Sequence, residues 1–169
     1  MTVTNPDGSV DAVHEFDNEL STGIFHGGGA LLTALLANQT AVSNWFIQIG
    51  GGSYGSFGTG DSCQEDTDSN YPRRIVATVG RDLMAGSPLR LTGTCTVILS
   101  DVAATEGIGN VWTYPQVTDT FPTCCLNNAE VLWNNSDYNK FTEHQFNVNE
   151  WPAVQHNQVV SINVVITFQ

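Results

Sequence analysis

The chain has 169 residues, 41% of them hydrophobic and only 13% charged, with 17 Asp and Glu against 5 Lys and Arg for a net charge of −12. That balance excludes a nucleic-acid binder, because neutralising phosphates takes clustered lysines and arginines and this chain has none before Arg73. No apolar stretch approaches the ~20 residues a bilayer span needs, so no membrane partner is expected.

Sixteen glycines among abundant Thr, Ser, Asn and Val favour strands and turns over helices. In chain order, residues 1–24 carry Asp7, Asp11, Glu15, Asp17 and Glu19 among scattered apolar residues. They read as an extended acidic arm, with one short strand near Val13, that could order against a neighbouring subunit. Met1 to Gly8 lacks the basic and apolar regions of a secretory signal, which makes reduced cysteines the expectation. Residues 25–169 read as a single domain without internal repeats or a dividing linker.

Gly27-Gly28-Gly29 precedes the one segment of good helix formers, and Leu31, Leu32, Leu35 and Leu36 share one helical face, predicting a short α-helix over residues 29–38 capped by Asn38. The period then becomes two. Trp45, Ile47 and Ile49 alternate with Phe46 and Gln48 in a strand that ends in glycines. A polar loop follows from Ser53 to Tyr71 with the densest carboxylate group, Asp61, Glu65, Asp66 and Asp68. Long loops in small domains are commonly functional or partner-bound.

Ile75, Ala77 and Val79 predict one buried strand face. Leu89, Leu91, Gly93, Cys95, Val97 and Leu99 form the clearest alternation, with Arg90, Thr92, Thr94 and Thr96 on a polar, threonine-rich opposite face. Residues 109–114, 129–133 and 141–148 are further strand candidates, and Val160, Ile162, Val164, Ile166 and Phe168 close the chain as a core strand. Seven or eight strands without βαβ alternation predict a mainly β fold, an antiparallel β-sandwich of Ig-like or jelly-roll-like type, with the one short helix.

Chemistry finds few footholds. His14, His26, His144 and His156 have no zinc spacing, so no metal is assigned to them. Cys95 falls on the buried phase and reads as a small hydrophobe; adjacent Cys124 and Cys125 leave Cys63 as a partner for at most one of them. The glycine runs lack the Lys-Ser/Thr ending of a phosphate loop, and no nucleophile elbow, triad order or dinucleotide fingerprint is present. The acidic loop lacks the EF-hand ligand order. No cofactor and no catalytic residue are assigned, and a small hydrolase would lack a nameable nucleophile and base. A carbohydrate-binding sandwich, with or without calcium, remains an alternative through the loop carboxylates and Tyr54, Trp112 or Trp151.

Taken in order, the segments resemble a known family. The leucine helix (Gly29 to Asn38) precedes Trp45-Phe-Ile-Gln-Ile-Gly50, and Gly58-Thr59-Gly60-Asp61 leads to Arg73-Arg74-Ile-Val-Ala-Thr-Val and the alternating strand to Leu99. Gly107-Ile108-Gly109-Asn110-Val111-Trp112, Ala129-Glu-Val-Leu132 and the apolar strand to Phe168 complete the series. This order resembles small structural proteins of tailed bacteriophages, in particular the collar-like modules at the virion-attached end of tail fibres. The resemblance implies a virion protein made in the host cytoplasm, with copies of itself and other virion structural proteins as partners. The family's Glu-x-Gly-Leu-Phe is replaced here by Ile108 to Trp112, and no fibre shaft follows the module. A free-standing subunit of neck, tail or fibre attachment site, or a capsid decoration protein, is the resulting expectation.

Such a subunit would work through contacts multiplied by symmetry. The first 72 residues hold nine acids and no Lys or Arg, whereas Arg73, Arg74, Arg81 and Arg90 follow within eighteen residues. Candidate subunit-contact residues are therefore Asp11, Glu15, Asp17, Glu19, Asp61, Glu65, Asp66 and Asp68 on the acidic side, Arg73 and Arg74 on the basic side, and Phe121 in the Pro115 to Asn128 connection.

Overall fold

In the computed structural model, the residues described are 1–20, 40–50, 61–63, 74–81, 88–119 and 141–167. They form twelve strands and no helix: β1 (Thr2–Thr4), β2 (Val10–Val13), β3 (Glu19–Leu20), β4 (Thr40–Gly50), β5 (Ser62–Cys63), β6 (Arg74–Arg81), β7 (Leu89–Ile98), β8 (Thr105–Gly107), β9 (Asn110–Asp119), β10 (Thr142–Gln145), β11 (Ala153–Gln155) and β12 (Val159–Ile166). The helix expected over residues 29–38 and the strand expected over 129–133 lie outside the described residues. The count exceeds the seven or eight expected because β1, β2, β3, β5, β8 and β11 are each two to four residues long. Strands that short carry too few residues to show a period of two.

Every pairing is antiparallel, and the main path runs β2-β1-β12-β7-β6-β4-β9-β10-β3 in one curled sheet. The curl turns on β6. Its first half pairs with β4, Ile75 opposite Ile47, and its second half with β7, Thr78 opposite Thr92. Further along β7, β5 pairs with Val97 and Ile98. β8 and β11 form a separate two-stranded ribbon.

Alternation predicts burial well where strands are long. Leu91, Gly93, Cys95 and Val97 on β7 and Val160, Ile162, Val164 and Ile166 on β12 face inward, as do Trp45, Ile47 and Ile49 on β4. With Ile75, Ile108, Val111, Val154 and Val3 they make one core. Ile47, Ile49, Ile75, Leu91 and Ile162 are each almost wholly buried, worth about 1.5–3 kcal/mol apiece relative to exposure.

Three expectations are corrected. Residues 1–13 are not an extended arm: β1 pairs with β12 and Val3 is fully buried. A single buried valine between two threonines leaves almost no pattern to read. Val79 does not stay buried with Ile75 and Ala77 but is 46% exposed, because β6 has left β4 by that point. Cys95 is buried as expected, yet its thiol is committed to a disulfide rather than reduced, its partner lying outside the described side chains.

Candidate interaction surfaces

β2 and β3 stand at opposite ends of the strand path, yet only residues 14–18 separate them in sequence. The six steps from Val13 to Glu19 reach at most roughly 22 Å, so the curl brings its two edges that close and the segment straps them together. At one end, Met1 and His14 exchange backbone hydrogen bonds of 2.6 and 2.7 Å. At the other, Asn18 donates to the Thr142 hydroxyl at 2.8 Å and β3 pairs with β10. Between them the Phe16 ring meets His144 and Phe146 at 5.0 and 5.4 Å. His144 Nδ1 lies 2.6 Å from the Asp17 carbonyl; that oxygen only accepts, so Nδ1 carries the proton.

The four N-terminal carboxylates named from sequence are all exposed, but they do different work. Asp11 is the extra residue of a β-bulge and accepts a hydrogen bond from buried Gln158 at 3.1 Å. Glu15 and Asp17 border an open hollow of about 590 Å³ with Met1, Val13, His14, Phe16 and Asn163. Glu19 faces Glu143 directly across the β3–β10 pair, where like charges repel. His14 Nε2 and Asn18 Oδ1 are buried without hydrogen-bond partners. Burial, and then the N-terminal ammonium, hold the His14 imidazole below its ordinary pKa.

The outer face of β1, β12, β7 and β6 is a second surface, fixed by register. Thr4, Val159 and Thr96 form one row, Thr2, Ser161 and Thr94 the next, then Asn163, Thr92 and Thr78, then Val165, Arg90 and Gly80. The bulge at Asp11 pairs Val10 with Thr4 and Val13 with Thr2, so both valines join this face, 61% and 65% exposed. None of these row positions is a carboxylate. The sequence carries a signal for this that a reading of alternation alone passes over: residues 88–100 and 151–169 contain no Asp or Glu.

The remaining nominated residues divide sharply. Asp61 is buried, 5% exposed, and its carboxylate accepts hydrogen bonds from the Ser100 amide and hydroxyl at 2.8 and 3.0 Å. It therefore anchors the 100–104 turn rather than presenting charge to a neighbour, which corrects the expectation of a subunit contact at Asp61. Arg74 lies on β6 opposite Gln48. Glu65, Asp66, Asp68, Arg73 and Phe121 lie outside the described residues.

Other candidates for chemistry hold backbone in place. His156 Nδ1 accepts the Leu99 amide at 3.1 Å, and Trp151 donates to the Phe146 carbonyl at 3.1 Å. Among the described residues no three His, Cys, Asp or Glu are placed to hold a metal ion, and no helix is long and apolar enough to cross a membrane. No protein-family profile, curated protein or solved structure matches the chain.

Proposed function

We propose that the protein is a non-enzymatic structural subunit of a tailed-phage virion, assembling as a symmetric oligomer at the neck, tail or fibre attachment site. The observation that carries this reading is how its polar and aromatic side chains are employed. Asp61 fixes Ser100, His144 fixes the Asp17 carbonyl, His156 fixes the Leu99 amide and Trp151 fixes the Phe146 carbonyl. Groups engaged in this way stiffen the fold, and stiffness is what a subunit repeated by symmetry needs. The order of segments from the leucine run to the closing strand supports the virion assignment.

In this reading the curl is a two-layered sandwich. The β4 half of the sheet and the β7–β12 half share one core, and β6 passes from one layer to the other, as strands that turn sandwich corners do.

Two measurements test the proposal. Sedimentation velocity of the purified chain should give a discrete oligomer, and particles of the phage that encodes it, purified on a density gradient, should carry it at a fixed copy number. A chain that stays monomeric at all concentrations and is absent from particles would overturn the assignment. Labelling on the head surface instead of the neck or tail would make it a decoration protein.

A further inference from the structure

We propose that a second copy of this chain docks face to face on the outer surface of β1, β12, β7 and β6, about a two-fold axis parallel to β12. The inference rests on the structural-subunit reading and adds to it the surface and the partner.

Charge selects the partner. The chain carries 17 acids and a net charge of −12, so most approaches of two copies set like charges against each other. The four rows of this face hold no carboxylate and a single charged side chain, Arg90, which makes no ion pair among the described residues. A second copy can close on this face without bringing acids together.

The chemistry of the face suits burial. Its side chains are mostly Thr and Val, which are stiff at χ1 and lose little freedom on docking. Three of its hydroxyls already have partners on the face: Thr94 with Ser161 at 3.3 Å, and Thr92 with the Thr78 carbonyl at 3.4 Å. The hydroxyls of Thr2 and Thr4 have no partner among the described residues and would take theirs from the second copy, because burying a hydroxyl unpaired is costly. Val10, Val13 and Val165, between 44% and 65% exposed, supply apolar area on the same face. At β-sheet spacings the patch measures roughly 20 by 20 Å, a small footprint that suits a contact multiplied by symmetry rather than a lone tight dimer.

Register fixes the orientation. An axis along β12 lays β12 over its own copy and β7 over β1, so Thr94 meets Thr2 of the partner subunit and Thr96 meets Thr4 of the partner subunit. Arg90 lies at the end of β7 that pairs beyond the start of β1. The same axis brings it to the hollow bordered by Glu15 and Asp17 of the partner subunit, completing one opposite-charge pair on each side of the axis.

The test is sedimentation velocity over a dilution series with thermal melts as fold controls. Thr94→Glu, which places a carboxylate on the acid-free face, should weaken self-association roughly tenfold or more. Arg90→Glu should weaken it as well, and Glu15→Arg with Asp17→Arg in the Arg90→Glu background should restore most of the loss. If Thr94→Glu does not fold, Arg90→Glu and its rescue decide alone. An oligomer unchanged by these substitutions would overturn the proposed face while leaving the subunit reading intact. Unchanged self-association with lost incorporation into particles would assign the face to another virion protein and overturn the second copy as its occupant. A wild-type chain that never associates would overturn the proposed face, and one that is absent from particles as well would overturn both.

Discussion

Gly93 on β7 lies so close to Ile75 on β6 that a Cβ at position 93 would come within 2.7 Å of the Ile75 Cγ2. The Ile47 Cδ1 stands 3.3 Å from the same point. Ile75 belongs to the half of β6 paired with β4, so the missing side chain at Gly93 lets the two halves of the curl close on each other. Gly93→Ala should cost about 1–3 kcal/mol by overpacking, read as a lower urea midpoint with little change in slope. An unchanged midpoint would mean that Ile75 can move aside freely.

A buried hydroxyl pair ties β9 to β10. Thr113 and Thr142 place their Oγ1 atoms 2.7 Å apart, and the Thr142 amide donates to Thr113 Oγ1 at 3.2 Å. Thr113→Val should cost about 1–2 kcal/mol because it takes the acceptor from the Thr142 amide and leaves the Thr142 hydroxyl with Asn18 alone. The Thr113→Val, Thr142→Val double variant should lose less than the sum of the singles, a coupling of about 1 kcal/mol in a double-mutant cycle. Strict additivity would show that the two hydroxyls act independently.

Asp61→Ala should remove both hydrogen bonds to Ser100 and loosen the 100–104 turn, at a cost of about 1.5–3 kcal/mol for bonds to a buried charged acceptor. Asp61→Asn, which keeps an acceptor oxygen, should cost less. Amide exchange at Ser100 should rise in the alanine variant and change little in the asparagine variant. Equal protection in both would remove the anchoring role.

His14 gives the fold a pH dependence of definite sign. Burial first, and the N-terminal ammonium second, lower its pKa in the folded chain below the ordinary value of 6.5, so the unfolded chain binds more protons near that pH. The stability His14 contributes is present above pH 6.5 and is lost as the pH falls below it. Urea midpoints measured from pH 7.5 down to pH 5 should decline, and His14→Gln should flatten the decline. A slope identical in the variant would place its origin in other groups.

How far the sequence could be read depended on strand length. Along β7 and β12 the alternation runs for eight residues or more, and Leu91 to Val97 and Val160 to Ile166 are buried as their phase requires. The Thr92, Thr94 and Thr96 face was legible for the same reason. Where strands are short the signal fails: Val3, fully buried, is flanked by residues that would serve equally well in a tail. Asp61 reads from sequence as a subunit contact within an acidic loop because composition records neighbours in sequence, whereas its partner Ser100 is 39 residues away. The β2 bulge was equally hidden, since inserting Asp11 against β1 needs β1 itself to be in place.

The amino-acid pattern alone determined that this is a β protein and which face of each long strand is buried, because the pleat sends successive side chains to opposite sides whatever the strand's neighbours are. Tertiary structure decided the neighbours. That β6 divides its hydrogen bonds between β4 and β7, that the first strand lies beside the last, and that residues 14–18 span both edges of the curl all depend on backbone groups pairing across most of the chain. Backbone N–H and C=O groups are the same at every residue, so their choice of partner is settled by the packed whole and not by local composition.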